Sequence, residues 1–458
     1  MLTKCYKTKQ FQKFAGILLI SLIAISCATK PSAYKIIDLA VEKDDFKTAI
    51  EAIKAGQEDD KKPIYLEKNS IMLFLDKGLL EYYAGDYENS SKDLQEAERL
   101  IEEAYTKSIT ANFMSYIAND NTKEYPGEDF EDIYLNVFNA LNYYNRGDIE
   151  GALVEIRKLS LPSGKLNMLA QRYDFKDKDG KSLDERVQEQ AKGADISQLP
   201  KGKPVEFSNS ALARYLAALF YLADGNTDSA RIEFQEVPKA FASNGNVYKN
   251  PIPKAVAEAQ TSLSKARLNV ISFSGLSPIK QEEIVVHYFP FQNAALRQTN
   301  FKLPKLVARP TLANRVEVVI EGKDKFDLEL LEDMGAVIQE TFAVRYANIV
   351  IKTYIRALIK YTLADISAAE TAKRTNALAG AAIALAAKKA LEATEGADIR
   401  MSRFMPDKAF VGGIDLEPGN YNITINFIAG NTVVASVTRE DFPVKEKSLN
   451  LIDVASLK

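Results

Sequence analysis

Gly147-Asp148-Ile149-Glu150-Gly151-Ala152 is the stretch on which the reading of this chain turns, because its pattern occurs four times. The counterparts are Asp45-Phe46-Lys47-Thr48-Ala49, Asp86-Tyr87-Glu88-Asn89-Ser90 and Asn226-Thr227-Asp228-Ser229-Ala230, with Gly85 and Gly225 standing before the last two. A glycine can take the left-handed conformation that ends a helix, and an Asp or Asn after it can cap the next helix by accepting from its free N–H groups. A small residue four positions beyond the cap lets the two helices approach closely. Gly85, Asp86, Gly147, Asp148, Gly225 and Asn226 are therefore the candidate helix-turn residues. The flanking segments carry helical spacing: Phe46, Ala49, Ile50 and Ile53 after the first turn, Tyr134, Val137, Phe138 and Leu141 before the third, and Leu212, Tyr215, Leu216, Leu219 and Phe220 before the fourth.

Helix–turn–helix units of this kind resemble tetratricopeptide (TPR) repeats, whose pairs stack into a superhelix with a concave binding surface. The capping residues recur at intervals of 41, 62 and 78 residues, against about 34 in the standard repeat, so the array is degenerate and carries long insertions. A helical bundle whose turns merely share good capping chemistry is the alternative. The array is expected over residues 34–276, with a groove of tyrosines, asparagines and acidic residues suited to a peptide or helix, and to fold apart from the rest. Its largest insertion, about 160–208, is polar; Asp177-Lys178-Asp179-Gly180 places its glycine fourth, not sixth as an EF-hand loop requires, and reads as a solvated turn. Asn250-Pro251-Ile252-Pro253 precedes a helix predicted from Lys254 to Leu268, and Ser274-Gly275-Leu276-Ser277-Pro278 closes the helical half.

Residues 280–458 change character. Glu283–Phe289 and Arg315–Glu321 are short apolar, β-branched runs that read as strands, followed by a long helix expected from Leu328 to Ala393 with Val350, Tyr354, Leu358 and Tyr361 on one face. A final β block runs Ala409–Glu417, a Pro418-Gly419 turn, alternating Tyr421–Phe427, a Gly430-Asn431 turn, Thr432–Thr438 and Ser448–Val454. The expected class is α+β: an N-terminal TPR-like helical array, then a domain of antiparallel, sandwich-like strands with inserted helices.

The N-terminus carries a second signal. Lys4, Lys7, Lys9 and Lys13 precede an apolar run from Phe14 to Ile25 that stops at Ser26-Cys27-Ala28, the layout of a signal peptide. The run is shorter than the ~20 residues that span a bilayer. Leu22-Ile23-Ala24-Ile25-Ser26-Cys27 resembles a bacterial lipobox, so residues 1–26 are expected to be removed, Cys27 to be the lipidation site and residues 27–33 a tether; an ordinary secretory signal is the weaker reading. Cleavage there takes the formal charge from −3 to −7, removes Cys5 and leaves Cys27 as the sole thiol. Two or three acyl chains at about 0.8 kcal/mol per buried CH₂ anchor a soluble body firmly. Ala28 after the cysteine points to the outer membrane.

The 458 residues include 59 Lys+Arg, 62 Asp+Glu, one His, two Cys and no Trp, which excludes a basic nucleic-acid footprint, a Cys–His zinc site and a disulfide framework. No Walker loop, nucleophile elbow, zincin helix or CxxC pair occurs. His287 sits in an apolar strand with no orienting carboxylate in view and reads as a packing residue. Asn119-Asp120-Asn121 could hold a ligand but more commonly such residues shape a loop. Thr353, Arg356 and Lys360 share a helical face that could take an anionic glycan or a peptide carboxylate, or be a salt-bridged or solvated face. The alanine-rich run Asn376–Ala387 reads as a close-packed internal helix.

Asn119-Asp120-Asn121, Tyr125, Gly127-Glu128, Phe130-Glu131 and Asn136 through Gly147-Asp148-Ile149-Glu150-Gly151-Ala152 resemble an uncharacterised family of bacterial outer-membrane lipoproteins. Thr353, Arg356-Ala357 and Lys360, Ala397-Asp398-Ile399-Arg400, and Leu416 with Pro418-Gly419-Asn420-Tyr421 extend the likeness; where the family has an Asn-Gly loop after its first C-terminal strand, this chain has His287-Tyr288-Phe289-Pro290. The resemblance implies a TPR-like half joined to a mixed C-terminal domain and an accessory role in the cell envelope. The expected function is a lipid-anchored, non-catalytic scaffold on the periplasmic face of the outer membrane that binds another envelope protein, needing no cofactor or metal and binding no nucleic acid. A binding protein for a cell-wall glycan or small ligand is the alternative, and a carboxylate-based cell-wall hydrolase the third reading.

Overall fold

Four helix-to-helix turns in the computed structural model share one backbone design. Gly85, Gly147 and Gly225 lie at φ +79°, +79° and +77°, and Asp44 takes the same place at φ +56° in the first copy. In each copy the amide of the following residue reaches back five positions: Asp45 to the Ala40 carbonyl, Asp86 to Glu81, Asp148 to Tyr143 and Asn226 to Tyr221, each at 2.9 Å. These are Schellman closures. The same residues then cap the next helix, Asp45 accepting from the Thr48 amide, Asp148 from Gly151 and Asn226 from Ser229. The small residue four positions on, Ala49, Ser90, Ala152 or Ala230, is fully buried in every copy.

The structure describes residues 33–58, 63–110, 120–161, 163–169, 185, 206–261, 266–290, 296–374 and 396–458. Cys27 and its signal, Asn119, the Asp177–Gly180 turn with most of the polar insertion, and the alanine-rich run lie outside them. The chain divides into two compact units, residues 1–64 and 65–458. In the first, helices α1 (Ala33–Val41) and α2 (Phe46–Gln57) bury Ile37, Val41, Phe46 and Ile53 between them.

In the second unit the helices come in pairs: α3 (Ser70–Tyr83) with α4 (Tyr87–Thr110), α5 (Asp129–Asn145) with α6 (Ile149–Ser160), and α8 (Ala211–Ala223) with α9 (Thr227–Ser243). A single turn, α7 (Lys165–Met168), follows α6. Successive pairs touch through α4 on α5 and α6 on α8. Helix α10 (Lys254–Thr261) leads into the first strand.

The strands form three sheets. β1 (Ala266–Leu276) is central in a four-stranded sheet of order β10-β1-β7-β6, parallel to β10 (Asn450–Ser456) and antiparallel to β7 (Pro406–Leu416), with β6 (Glu329–Asp333) outermost. A second sheet is ordered β5-β4-β8-β9, from β5 (Phe326–Asp327), β4 (Arg315–Ile320), β8 (Gly419–Ala429) and β9 (Thr432–Val444). β2 (Ile279–Pro290) and β3 (Leu296–Val307) pair only with each other among the described strands. Leu268 and Val270 of β1 share a core with Val316, Val318, Ile423, Ile425 and Phe427 of the second sheet. Phe273, one step along β1, meets Phe138 of α5 at 4.9 Å and Tyr82 of α3 at 6.4 Å. β1 is thus buried on both faces.

Three expectations are corrected here. The helix predicted to reach Leu268 has given way to strand by Ala266, and the Ser274–Pro278 stretch read as a closing loop falls within and just after β1. A strand buried on both faces has no polar alternation, so it does not betray its period. β1 falls inside the expected helical range 34–276, while its partners β7 and β10 lie beyond residue 400. The long helix begins at Met334, not Leu328: Glu329–Asp333 pairs with β7, and Asp333 accepts from the Ala336 amide at 2.8 Å to start helix α11 (Met334–Arg374). The hairpin partner β3 has no strand signal of its own, since Leu296–Val307 mixes Arg, Gln, Lys and Pro with its apolar residues.

Candidate functional site

Helices α3, α5 and α8 present tyrosines, asparagines and acids on the side where a repeat array would bind a partner. The chain's own C-terminal residues fill that side. Asp76 of α3, wholly buried, accepts from Tyr65 Oη at 2.7 Å, Ser402 Oγ at 2.8 Å and the Arg403 amide at 2.7 Å. Glu131 of α5 accepts from Tyr125 Oη at 2.7 Å and the Glu128 amide at 2.8 Å on one oxygen, and from the Ser402 amide on the other. Glu128, which caps α5, takes the Lys280 ammonium of β2 and the Arg345 guanidinium of α11.

Two acids come the opposite way. Glu332 of β6 gathers Tyr134 Oη and Tyr248 Oη at 2.7 Å each, Ser210 Oγ at 2.9 Å and the Leu212 amide at 3.0 Å, closing the N-terminus of α8. Asp453 of β10 accepts from Tyr82 Oη at 2.5 Å and Asn145 Nδ2 at 2.9 Å, at the C-terminal ends of α3 and α5. Beside it Tyr83 donates to the Phe404 carbonyl and Tyr144 to that of Leu449. Burial pushes all four carboxyls (Asp76, Glu131, Glu332, Asp453) up, and their donors oppose it. Glu131, with Glu128 alongside, is pushed up to about 7.

A second polar row runs between the helices themselves. Asn136 Nδ2 donates to Glu98 at 2.8 Å and to Glu155 at 2.6 Å; Lys158 and Lys165 close on Glu98 at 2.6 and 2.7 Å, and Lys165 also pairs with Asp132 at 2.6 Å. Burial works against the ionised Glu98, but Lys165 and Lys158 outweigh it and hold its carboxyl at about 2. On α3, burial and the charge of Asp93 lift Glu81 to about 7 despite the Lys77 ammonium at 3.2 Å.

Of the sequence candidates, Gly85, Asp86, Gly147, Asp148, Gly225 and Asn226 stand in the turns described above. Asn121 Nδ2 donates to the Gly396 and Ala397 carbonyls at 2.9 Å each, and the Arg400 guanidinium donates to the Asp120 and Lys123 carbonyls while pairing with Asp398 at 2.7 Å. The 120–123 loop is therefore tied to 396–400. Thr353 and Arg356 lie on α11 but are buried, not solvated, with Arg356 Nη2 3.2 Å from Thr353 Oγ1. Lys123 lies close enough to Lys352 and Arg356 that, after desolvation, their charges help depress its ammonium pKa, against the opposing pull of Asp120. Lys360 belongs to the same helix, and His287 to β2.

A general acid or base needs a lone pair or proton within reach of a substrate. At Asp76, Glu332 and Asp453 those positions are taken by donors from remote parts of the chain, so the arrangement clamps helices to the strands β6 and β10 and to the segment ahead of β7. Sequence reasoning gave none of the four acids a role, and named Glu131 only among the residues of the family resemblance. The available signal was an acid set among fully buried neighbours, such as Asp76 beside Leu75 and Leu79, or Glu332 beside Leu331. Among the described residues no group of three or more His, Cys, Asp or Glu is placed to hold a metal ion, and no helix is long and apolar enough to cross a membrane. No protein-family model, curated protein or solved structure matches the chain.

Proposed function

We propose that this chain is a lipid-anchored accessory protein of the bacterial cell envelope, built as a TPR-like array closed by a sandwich-like β domain, that holds another envelope protein without catalysis. The carrying observation is the clamp: Glu332 and Asp453 are spent on joining helices to strands β6 and β10, and Asp76 and Glu131 on joining them to the Ser402–Arg403 segment ahead of β7, which favours a rigid body over a reaction centre. The lysine-rich, apolar start ending at Ser26-Cys27 supports the anchor. With the inner side of α3, α5 and α8 filled by the chain itself, the partner is assigned to outward surfaces such as α6 and α9, where Val154 and Ile232 are each 50% exposed at the same position of successive pairs. The glycan-binding alternative keeps one supporting observation, the Lys123, Lys352 and Arg356 cluster.

The test is recovery from native membranes. Cys27→Ser should abolish incorporation of labelled fatty acid and leave the protein in the soluble fraction or in the inner membrane with its signal peptide retained, and the lipidated protein should retain a stoichiometric protein partner that Val154→Glu with Ile232→Glu loses. Fatty-acid labelling of the Cys27→Ser variant would overturn the anchor. A retained glycan with no protein partner would replace the scaffold by the ligand binder.

A further inference from the structure

The β2–β3 ribbon stands apart from the other sheets. Its twelve-residue register runs from Ile279 opposite Val307 to Pro290 opposite Leu296, and neither strand pairs with another described strand. One face is covered: Val285, Phe301 and Leu303 pack on Tyr346, Ile349, Val350, Tyr354 and Ala357 of α11. The other is open, leaving Ile284 60% and Val286 47% exposed. The two edges differ. β3 carries Arg297, Lys302 and Lys305 with no acid, and Pro304 removes one backbone donor, the devices by which natural edge strands avoid pairing.

Among the described residues, β2 is guarded only at its base. There Glu282 accepts from the Ala397 amide at 3.0 Å, the Lys280 amide lies 3.0 Å from Met401 Sδ, and Lys302 and Lys305 face Glu282 and Glu283 at 3.5 and 2.8 Å. Beyond it, Ile284-Val285-Val286-His287-Tyr288-Phe289 has neither acid, lysine nor arginine, and no proline. Such an edge is a template for another strand.

We propose that two copies of this chain associate through the distal edge of β2, pairing antiparallel about a twofold axis to make one sheet of order β3-β2-β2-β3. The charge pattern selects the occupant. At the β3 edge Pro304 removes a donor and the flanking Lys302 and Lys305 are already engaged by Glu282 and Glu283, whereas residues 284–289 of two β2 strands bring no Lys, Arg, Asp or Glu against each other, and the twofold axis that antiparallel self-pairing requires is the commonest symmetry of homodimers. The exposed Ile284 and Val286 of both copies then form one apolar row flanking the new ladder.

The experiment is sedimentation velocity of the full chain over a roughly hundredfold concentration range. Dimerisation is expected, and Ile284→Lys with Val286→Lys should weaken it by about 100-fold or more, because like charges are placed across the new pairing. Ile284→Glu with Val286→Glu should weaken it similarly, and mixing the Lys and Glu variants should restore a mixed dimer. All four substitutions sit at exposed positions, and the mixing arm reports on pairing even if one variant is less stable alone. A wild-type chain that stays monomeric throughout, a Lys variant that associates like wild type, or Lys and Glu variants that ignore each other would each overturn the proposal.

Discussion

Glu131 and Glu98 show how neighbouring acids of one helical assembly come to titrate far apart. Glu131 is desolvated and shares its surroundings with Glu128, so it holds its proton up to about pH 7 in the folded chain and releases it near 4.5 when unfolded. Between those values the native state binds the extra proton, and stability falls as pH rises from about 4.5 through 7. Glu81, also near 7, acts in the same direction. Glu98, held at about 2 by its two lysines, contributes stability above pH 4.5 that is lost as pH falls towards 2. Urea unfolding across pH 5.5 to 8.5 should show a declining midpoint that Glu131→Gln flattens; an unchanged slope would show that Glu131 does not titrate there. Glu332 gives a larger single effect. Replacing it by Ala strands two tyrosine hydroxyls, a serine and the Leu212 amide, at a cost of about 3–5 kcal/mol. Tyr134→Phe removes one donor of four and should cost about 1 kcal/mol.

At the scale of elements, the shared turn separates backbone from packing. A Cβ added at Gly85, Gly147 or Gly225 meets nothing within 4 Å, so Gly147→Ala should cost about 1–2 kcal/mol through the left-handed backbone alone. Gly147→Val should cost more, because branching stiffens the chain further. Asp44, the non-glycine occupant of that place, offers the converse: Asp44→Gly should raise the stability of the α1–α2 pair by up to about 1 kcal/mol. The buried small residue behaves differently. Ala152 has no exposure at the close approach of its helix pair, so Ala152→Leu overpacks it by about 1–3 kcal/mol. Thermal melts of the four variants decide the matter, and a Gly147→Ala or an Ala152→Leu variant that melts like wild type would refute the division.

For the whole unit from Tyr65 to Lys458, β1 is the shared element: its Phe273 meets α3 and α5, and its ladder partners are β7 and β10. A chain cut to residues 65–276 would keep the helices but lose both neighbours of β1 and the donors and acids supplied by Ser402, Glu332 and Asp453. It should unfold without cooperativity, whereas residues 65–458 should give coincident transitions by far-UV circular dichroism and tyrosine fluorescence. Two separate transitions in the longer chain would mean that the halves fold independently.

Local chemistry was legible from the residues alone. Gly-Asp and Gly-Asn steps, small residues four positions on and apolar spacing determine the four turns, because those constraints act within a few residues of one another. The alternation Tyr421 to Phe427 likewise determines a strand with one buried face. What tertiary structure decided is everything that rests on distant partners. β1 is a strand because β7 and β10 flank it, β6 is a strand because β7 lies beside it, and Asp76 or Glu332 is tolerated inside because donors more than a hundred residues away converge on it. Thr353 and Arg356 share a helical face in the sequence, but only the packing around α11 puts them in the interior. The side of α3 and α5 that a repeat array would offer to a partner is closed by the chain's own β1, since burying Phe273, Phe138 and Tyr82 against one another removes more apolar surface from water than leaving a groove open.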